Sequence, residues 1–241
     1  MILHVLISLF SICASSNITE SGTDYNLSYF GKATDLKQGI HIYTEVHEER
    51  YSNGSRKSLL TTYHDTAGKV IVRRSVDFSR STLLPDFHTE DLRSGYMEGA
   101  EQVASGVRLY WRKSAKDSIE QKIVRIPSPA VVDAGFNNFV QERWDSLMKG
   151  EELEMYFGLP FTLDYYRFRL YKDGEKEFNG RNAVVVRCEI DNFILRLFAK
   201  PIILMYDTET RRMISYDGIS NINDERGNSY NVNIQYDPFG P

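Results

Sequence analysis

Hydrophobic and polar residues alternate along most of the chain from residue 40 onward, as in Ile40, Ile42 and Val46. Successive side chains of a β-strand point to opposite faces of the sheet, so this period of two predicts half-buried strands. Short turns such as Asn53-Gly54 and Asn179-Gly180 separate the alternating runs, and short turns join antiparallel neighbours. The pattern therefore predicts about ten to twelve antiparallel strands.

The period changes once, in residues 134–149, where apolar side chains recur at spacings of three and four. With Asp133 as N-cap and Gly150 as C-terminal stop, this stretch predicts one amphipathic helix. The residues on its apolar face are Phe136, Phe139, Val140, Trp144 and Leu147. A sheet of this size twists and curls, so we expect a mainly β (α+β) fold. The expected fold is a single large curved antiparallel sheet or half-barrel with the helix packed on its concave face.

The first sixteen residues form an apolar run that ends in small residues, with Ala14 and Ser16 placed as in a signal-peptidase site. We interpret residues 1–16 as a cleaved signal peptide, residues 17–38 as a flexible segment, and residues 39–241 as a single β-rich domain. A buried N-terminal strand or helix is the alternative. The run is too short to span a membrane, so the sequence predicts a periplasmic or secreted protein with no transmembrane span after leader removal.

The longest stretch without periodicity is residues 79–106, which holds Pro85 and three glycines. A long loop inside a compact domain is either functional or a missed strand. We expect residues 83–106 to cover the concave face and to control access to an apolar ligand there. Its ligand-binding residues would be Leu83, Leu84 and Phe87.

The composition argues against nucleic-acid binding and against a catalytic cysteine. With Lys and Arg at 29, Asp and Glu at 33, and a net charge of −4, the chain has no basic excess for nucleic acid. After leader removal only Cys188 remains, and it alternates with Val184 and Val186 on one strand face, which predicts a core residue rather than a nucleophile.

Two parts of the chain, covering less than half of it, resemble a family of uncharacterised exported bacterial proteins. They contain Ala134-Gly135-Phe136-Asn137-Asn138-Phe139-Val140, Arg143-Trp144-Asp145-Ser146-Leu147, Met205-Tyr206-Asp207 and Tyr216-Asp217-Gly218-Ile219-Ser220-Asn221-Ile222. The resemblance implies a bacterial, periplasmic setting and assigns no catalytic residue. The expected shape is also similar to the lipoprotein-carrier half-barrels of the bacterial envelope, in architecture alone.

Three patterns invite a chemical reading. His41, Tyr43, Glu45, His47 and Glu49 share one strand face, but the two histidines are about 20 Å apart along a strand and cannot bind one metal together, so we interpret the face as solvated. Gly218-Ile219-Ser220-Asn221 lacks the second glycine of a nucleophile elbow, and we interpret it as a turn. In the last pattern, four arginines alternate with apolar or aromatic residues: Arg167, Arg169, Arg187 and Arg196. Either these arginines converge to bind an anionic head group, or they face solvent and charge the outer surface of the sheet.

The sequence favours a non-enzymatic envelope protein whose curved sheet binds an apolar or amphipathic ligand, such as a lipid, or an envelope protein partner. The alternative is a periplasmic hydrolase that uses carboxylates converging in the concavity. We expect no catalytic residue, no metal and no cofactor. The ligand-binding candidates are Leu83, Leu84, Phe87, Arg167 and Arg169. A carrier requires a largely apolar cavity of at least about 300 Å³, whereas a hydrolase requires convergent ionisable groups.

Overall fold

The computed structural model describes residues 24–192 and 200–237, and fifteen strands and two short α-helices lie in these ranges. The helices are α1 (Gly135–Glu142) and α2 (Trp144–Met148), and a 3-10 turn covers Pro160–Thr162. The strands are β1 (Tyr25–Asp35), β2 (His41–Ser52), β3 (Ser55–His64), β4 (Val70–Asp77), β5 (Asp86–Asp91), β6 (Met97–Val103), β7 (Gly106–Arg112), β8 (Glu120–Val124), β9 (Ala130–Val132), β10 (Leu153–Leu159), β11 (Asp164–Phe178), β12 (Arg181–Ile190), β13 (Ile202–Asp207), β14 (Met213–Asn223) and β15 (Ser229–Tyr236).

All fifteen strands belong to one open, curved sheet in the order β8-β7-β6-β5-β4-β3-β2-β1-β15-β14-β13-β12-β11-β10-β9. Neighbours are antiparallel except β9 and β10, which run parallel. The sheet curves so far that Lys122 Nζ on β8 lies 4.0 Å from Asp164 Oδ2 on β11. The predicted mainly β fold with one large curved sheet is confirmed, with more strands than expected.

The first additional strand lies at the centre of the sheet. Residues 25–35, expected to be part of a flexible segment, form β1, which pairs with both β2 and β15. The expectation of a flexible segment was therefore wrong for this stretch. The sequence did not reveal the strand because its inward positions include Gly31 and the small Ala33, which make the alternation of apolar and polar residues weak. β1 joins the two halves of the sheet.

Two further strands, β5 and β6, occupy much of the segment read as irregular, residues 79–106. Their inward positions include the buried polar residues Thr89 and Asp91 and the small Ala100, which mask the period of two. The missed-strand reading therefore applies here, and most of residues 83–106 is part of the sheet rather than a loop that covers it.

The predicted helix is two helices, because Arg143 adopts φ −105° and ψ 14° between them. Asp133 does not act as an N-cap; it has φ 45°, and its carboxylate accepts a hydrogen bond from Arg74. Gly150 follows α2 with φ 83°, as expected of a C-terminal glycine. Four of the five residues of the predicted apolar face are buried, with Trp144 only 5% exposed, whereas Phe136 is half-buried.

The buried side chains form separate clusters around the concave face. The helices pack with β9 to β13, around Phe139, Trp144 and Leu147. A second cluster joins β3 to β9 around Leu59 and Leu109. Cys188 is buried without a disulfide, and burial raises the pKa of its thiol to about 12, which confirms the predicted core position.

Some expectations fall on residues that the structure does not describe: the signal peptide at 1–16, the first part of the flexible segment at 17–23, and Arg196. Within residues 24–192 and 200–237, no helix is both long enough and apolar enough to cross a membrane.

Candidate functional site

The concave face of the sheet encloses a cavity of about 790 Å³ beside α1. Its lining comes from β1 to β6, from α1 and β10, and from β13 to β15. Small-molecule sites have volumes of about 300 to 1,000 Å³, so the cavity exceeds the minimum set for a carrier.

One part of the wall is apolar and aromatic. Eight lining side chains from six strands and α1 carry no hydrogen-bonding group: Leu59, Phe87, Phe136, Phe157, Ile202, Leu204, Met213 and Ile234. Phe157 packs edge-on against Phe136, with ring centroids 6.4 Å apart. This surface can bury an alkyl or aryl group.

A second part of the wall carries a histidine and a carboxylate from β2. Glu45 Oε2 lies 2.8 Å from His47 Nε2, and Thr61 Oγ1 lies 3.1 Å from His47 Nδ1. An ionised carboxylate only accepts hydrogen bonds, so Nε2 donates to Glu45 in that state. Glu45 and His47 line the cavity, whereas Thr61 lies behind them and is fully buried.

Aromatic rings fix this histidine. The Tyr29 ring stacks on the imidazole at 4.5 Å, and the Tyr236 ring packs edge-on at 5.8 Å. Burial raises the pKa of both phenols well above the usual range, so both are neutral near pH 7. Tyr236 fits because Gly31 lies beneath it: a Cβ there would be 2.7 Å from the ring.

Glu49, two residues further along β2, is the centre of an ionic cluster. Arg56 Nη1 donates to Glu49 Oε1 at 2.7 Å, and the Tyr51 hydroxyl donates to Oε2 at 2.8 Å. Arg212 Nη2 lies 3.7 Å from the same Oε2, and its guanidinium is 5.0 Å from the Tyr29 ring centroid. One carboxylate therefore faces two arginines.

The remaining charged groups of the wall are Arg74, Asp133 and Glu98. Arg74 forms an ion pair with Asp133, and both side chains are nearly buried. Glu98 Oε2 accepts a hydrogen bond of 2.8 Å from the Tyr96 hydroxyl. Burial raises the pKa of the Glu98 carboxyl to about 7, so it titrates near neutral pH.

The sequence interpretation of this face was wrong, because residues 43, 45, 47 and 49 point into the concavity instead of into solvent. Glu45 and Glu49 are each 3% exposed and His47 is 5% exposed. One sequence signal could have indicated that this face is buried: the aromatic Tyr43 alternates in register with these polar residues. In the structure Tyr43 is completely buried. No group of three or more His, Cys, Asp or Glu among the described residues is arranged to hold a metal ion.

The structure separates the sequence-predicted ligand residues. Phe87 lines the cavity. Leu83 and Leu84 pack against the two core clusters and are not part of the wall. Arg167 and Arg169 also lie outside it, on β11.

The arginines of β11 and β12 contact carboxylates rather than a shared site. Arg167 pairs with Glu154 and Asp191, and Arg169 pairs with Glu189, to which Arg187 also donates. This arrangement matches the alternative in which the arginines charge an outer surface. The Gly218–Asn221 motif lies in β14 rather than in a turn, and the buried Ser220 Oγ is 2.8 Å from the Tyr43 hydroxyl oxygen.

Comparison with known proteins adds no family: no protein-family model matches the chain, and a search of curated proteins finds no match.

Proposed function

We propose that the protein is an exported binding protein that holds one amphipathic small molecule in the concave cavity, without chemical conversion. The observation that carries this proposal is the cavity of about 790 Å³, whose lining combines apolar side chains with buried charged and aromatic groups. The expected leader and the resemblance to exported bacterial proteins support a location in the bacterial envelope.

The apolar wall allows a quantitative prediction of how affinity depends on the length of the ligand's alkyl chain. Each methylene group moved from water into an apolar site contributes about 0.8 kcal/mol, which corresponds to about fourfold in the dissociation constant. Affinity for a series of alkyl ligands should therefore rise by about this factor per added carbon. The rise should stop when the chain no longer fits.

The direct test is displacement of a fluorescent fatty-acid analogue by unlabelled alkyl ligands of increasing length. Ile202 and Ile203 offer a matched pair on β13, because Ile202 lines the cavity and Ile203 does not. Ile202→Trp should narrow the cavity and reduce affinity at least tenfold, whereas Ile203→Trp should bind as the parent protein does. Binding that is absent in the parent protein, or equal in the two variants, would contradict the proposal.

The second candidate is a hydrolase, and the observation that favours it is the Glu45–His47 pair on the cavity wall. A histidine held by a carboxylate can act as a general base. Against this, the neighbouring hydroxyl of Thr61 is sealed behind the wall, and Glu49 and Asp133 are paired with arginines. Hydrolysis of ester substrates that is lost in His47→Gln would favour the enzyme over the binding protein.

A further inference from the structure

Three arginines in the described ranges line the cavity, and they differ in how their guanidinium groups are satisfied. Arg56 donates to Glu49 and to Asn138 Oδ1, each at 2.7 Å. Arg74 is held by Asp133. Two of the three are therefore committed to partners within the protein.

Arg212 is the exception. Its nearest carboxylate oxygen, on Glu49, is 3.7 Å away, beyond hydrogen-bond distance. Across residues 24–192 and 200–237, its five guanidinium N–H groups have no hydrogen-bond acceptor, and 27% of the side chain is exposed. The Arg212 guanidinium carbon lies 5.0 Å from the centroid of the Tyr29 ring, within range of a cation–π interaction.

The carboxylate nearest to Arg212 is already bound to other partners. Glu49 accepts hydrogen bonds of 2.7 Å from Arg56 Nη1 and 2.8 Å from the Tyr51 hydroxyl. Arg212 is therefore the arginine of the cavity wall that can donate hydrogen bonds to a ligand anion.

A neutral donor lies near the same end of the cavity. Asn137 lines the cavity, and its Oδ1 accepts a hydrogen bond of 2.9 Å from the Tyr206 hydroxyl. Tyr206 is the strand partner of Met213, the residue that follows Arg212. The Asn137 amide nitrogen has no acceptor in the part of the chain that the structure describes, so it remains a donor for a ligand.

From this geometry we infer that Arg212, assisted by Asn137, binds the carboxylate of an amphipathic monoanion whose alkyl chain lies along the apolar wall. The inference rests on the proposed binding function and adds the class of ligand: long-chain carboxylates. Guanidinium groups match carboxylates because both are planar and form two parallel hydrogen bonds. The apolar residue Met213 follows Arg212 directly and provides the start of the wall for the chain.

The test is isothermal titration calorimetry below the micelle concentration with four ligands of the same chain length: dodecanoate, dodecanol, dodecylammonium and dodecyl phosphate. We expect dodecanoate to bind ten- to a hundredfold more tightly than dodecanol, as for a charge-assisted hydrogen bond. In Arg212→Gln this difference should shrink to less than threefold. Arg212→Lys should retain part of the preference.

Arg211→Gln is the matched control, because Arg211 is adjacent, lies outside the cavity lining and pairs with the exposed Asp145 at 3.7 Å. It should bind all four ligands as the parent protein does. Circular dichroism checks that each variant is folded. The comparison of the four ligands on the parent protein tests the inference even if a variant does not fold.

The outcomes separate the two proposals. Equal binding of dodecanoate and dodecanol, tighter binding of dodecylammonium or of dodecyl phosphate, or a preference that Arg212→Gln leaves intact would overturn the carboxylate inference and leave the binding function standing. If none of the four ligands binds the parent protein, both proposals are overturned.

Discussion

Glu98 should make the stability of this protein fall between weakly acidic and weakly basic pH. Burial raises the pKa of its carboxyl from 4.5 to about 7, so the folded protein keeps this proton where the unfolded chain releases it. The stabilisation from the protonated group is therefore complete below about pH 4.5 and is lost as the pH rises through about 7. Each pKa unit corresponds to about 1.4 kcal/mol, and because Glu98 is only partly buried we expect a total effect of about 1 to 3 kcal/mol.

Replacement of Glu98 by Gln tests this expectation. Glutamine is neutral at every pH, and its carbonyl oxygen can accept the hydrogen bond from the Tyr96 hydroxyl. Urea denaturation followed by tryptophan fluorescence should give similar free energies of unfolding for both proteins near pH 4.5. At about pH 8 Glu98→Gln should be more stable by about 1 to 3 kcal/mol.

The control is Glu101→Gln on the same strand, where the carboxylate is 43% exposed and pairs with Arg108. It should follow the parent protein's pH dependence to within about 0.5 kcal/mol. Curves of stability against pH that run parallel for the parent protein and Glu98→Gln would show that Glu98 ionises normally in the fold, and the argument from burial would then be wrong.

Four further substitutions test the packing around the cavity by urea denaturation. Trp144→Ala should lose about 3 to 5 kcal/mol because the ring anchors α2 in the core; an unchanged midpoint would contradict this. Asp133→Asn should lose about 3 to 5 kcal/mol because it leaves the buried Arg74 unpaired, and a loss below about 1 kcal/mol would mean that Arg74 is solvated. Gly31→Ala should lose about 1 to 3 kcal/mol through its clash with the Tyr236 ring. Tyr236→Leu should reduce that loss; equal losses in both backgrounds would refute the contact.

The sequence predicts most of the sheet and the helical region because the residues buried in these elements are apolar, and their spacing shows the period of the strand or helix. Val184, Val186 and Cys188 alternate as a buried strand face, and the spacing of Phe139, Val140, Trp144 and Leu147 places one face of the helices in the core, as observed. The break at Arg143 has no such signal, since the apolar spacing continues across it.

The candidate site is hidden from the same reasoning because its inward residues are polar. On β2 the positions that face the cavity hold Glu45, His47 and Glu49, so a pattern of apolar and polar residues assigns this face to solvent. Their partners come from other parts of the chain: Arg56 and Thr61 lie on β3, and Arg212 lies just before β14. The spacing of residues within one strand contains no information on these contacts between distant parts of the chain.

The central claim, that the cavity binds one amphipathic molecule, is tested most directly by native mass spectrometry of the protein after incubation with dodecanoate. We expect a complex with one ligand per chain, which releases the ligand on denaturation and which Ile202→Trp forms only at a dodecanoate concentration at least tenfold higher. A spectrum that shows only the polypeptide mass, or the same complex in Ile202→Trp at the same dodecanoate concentration, would contradict this claim.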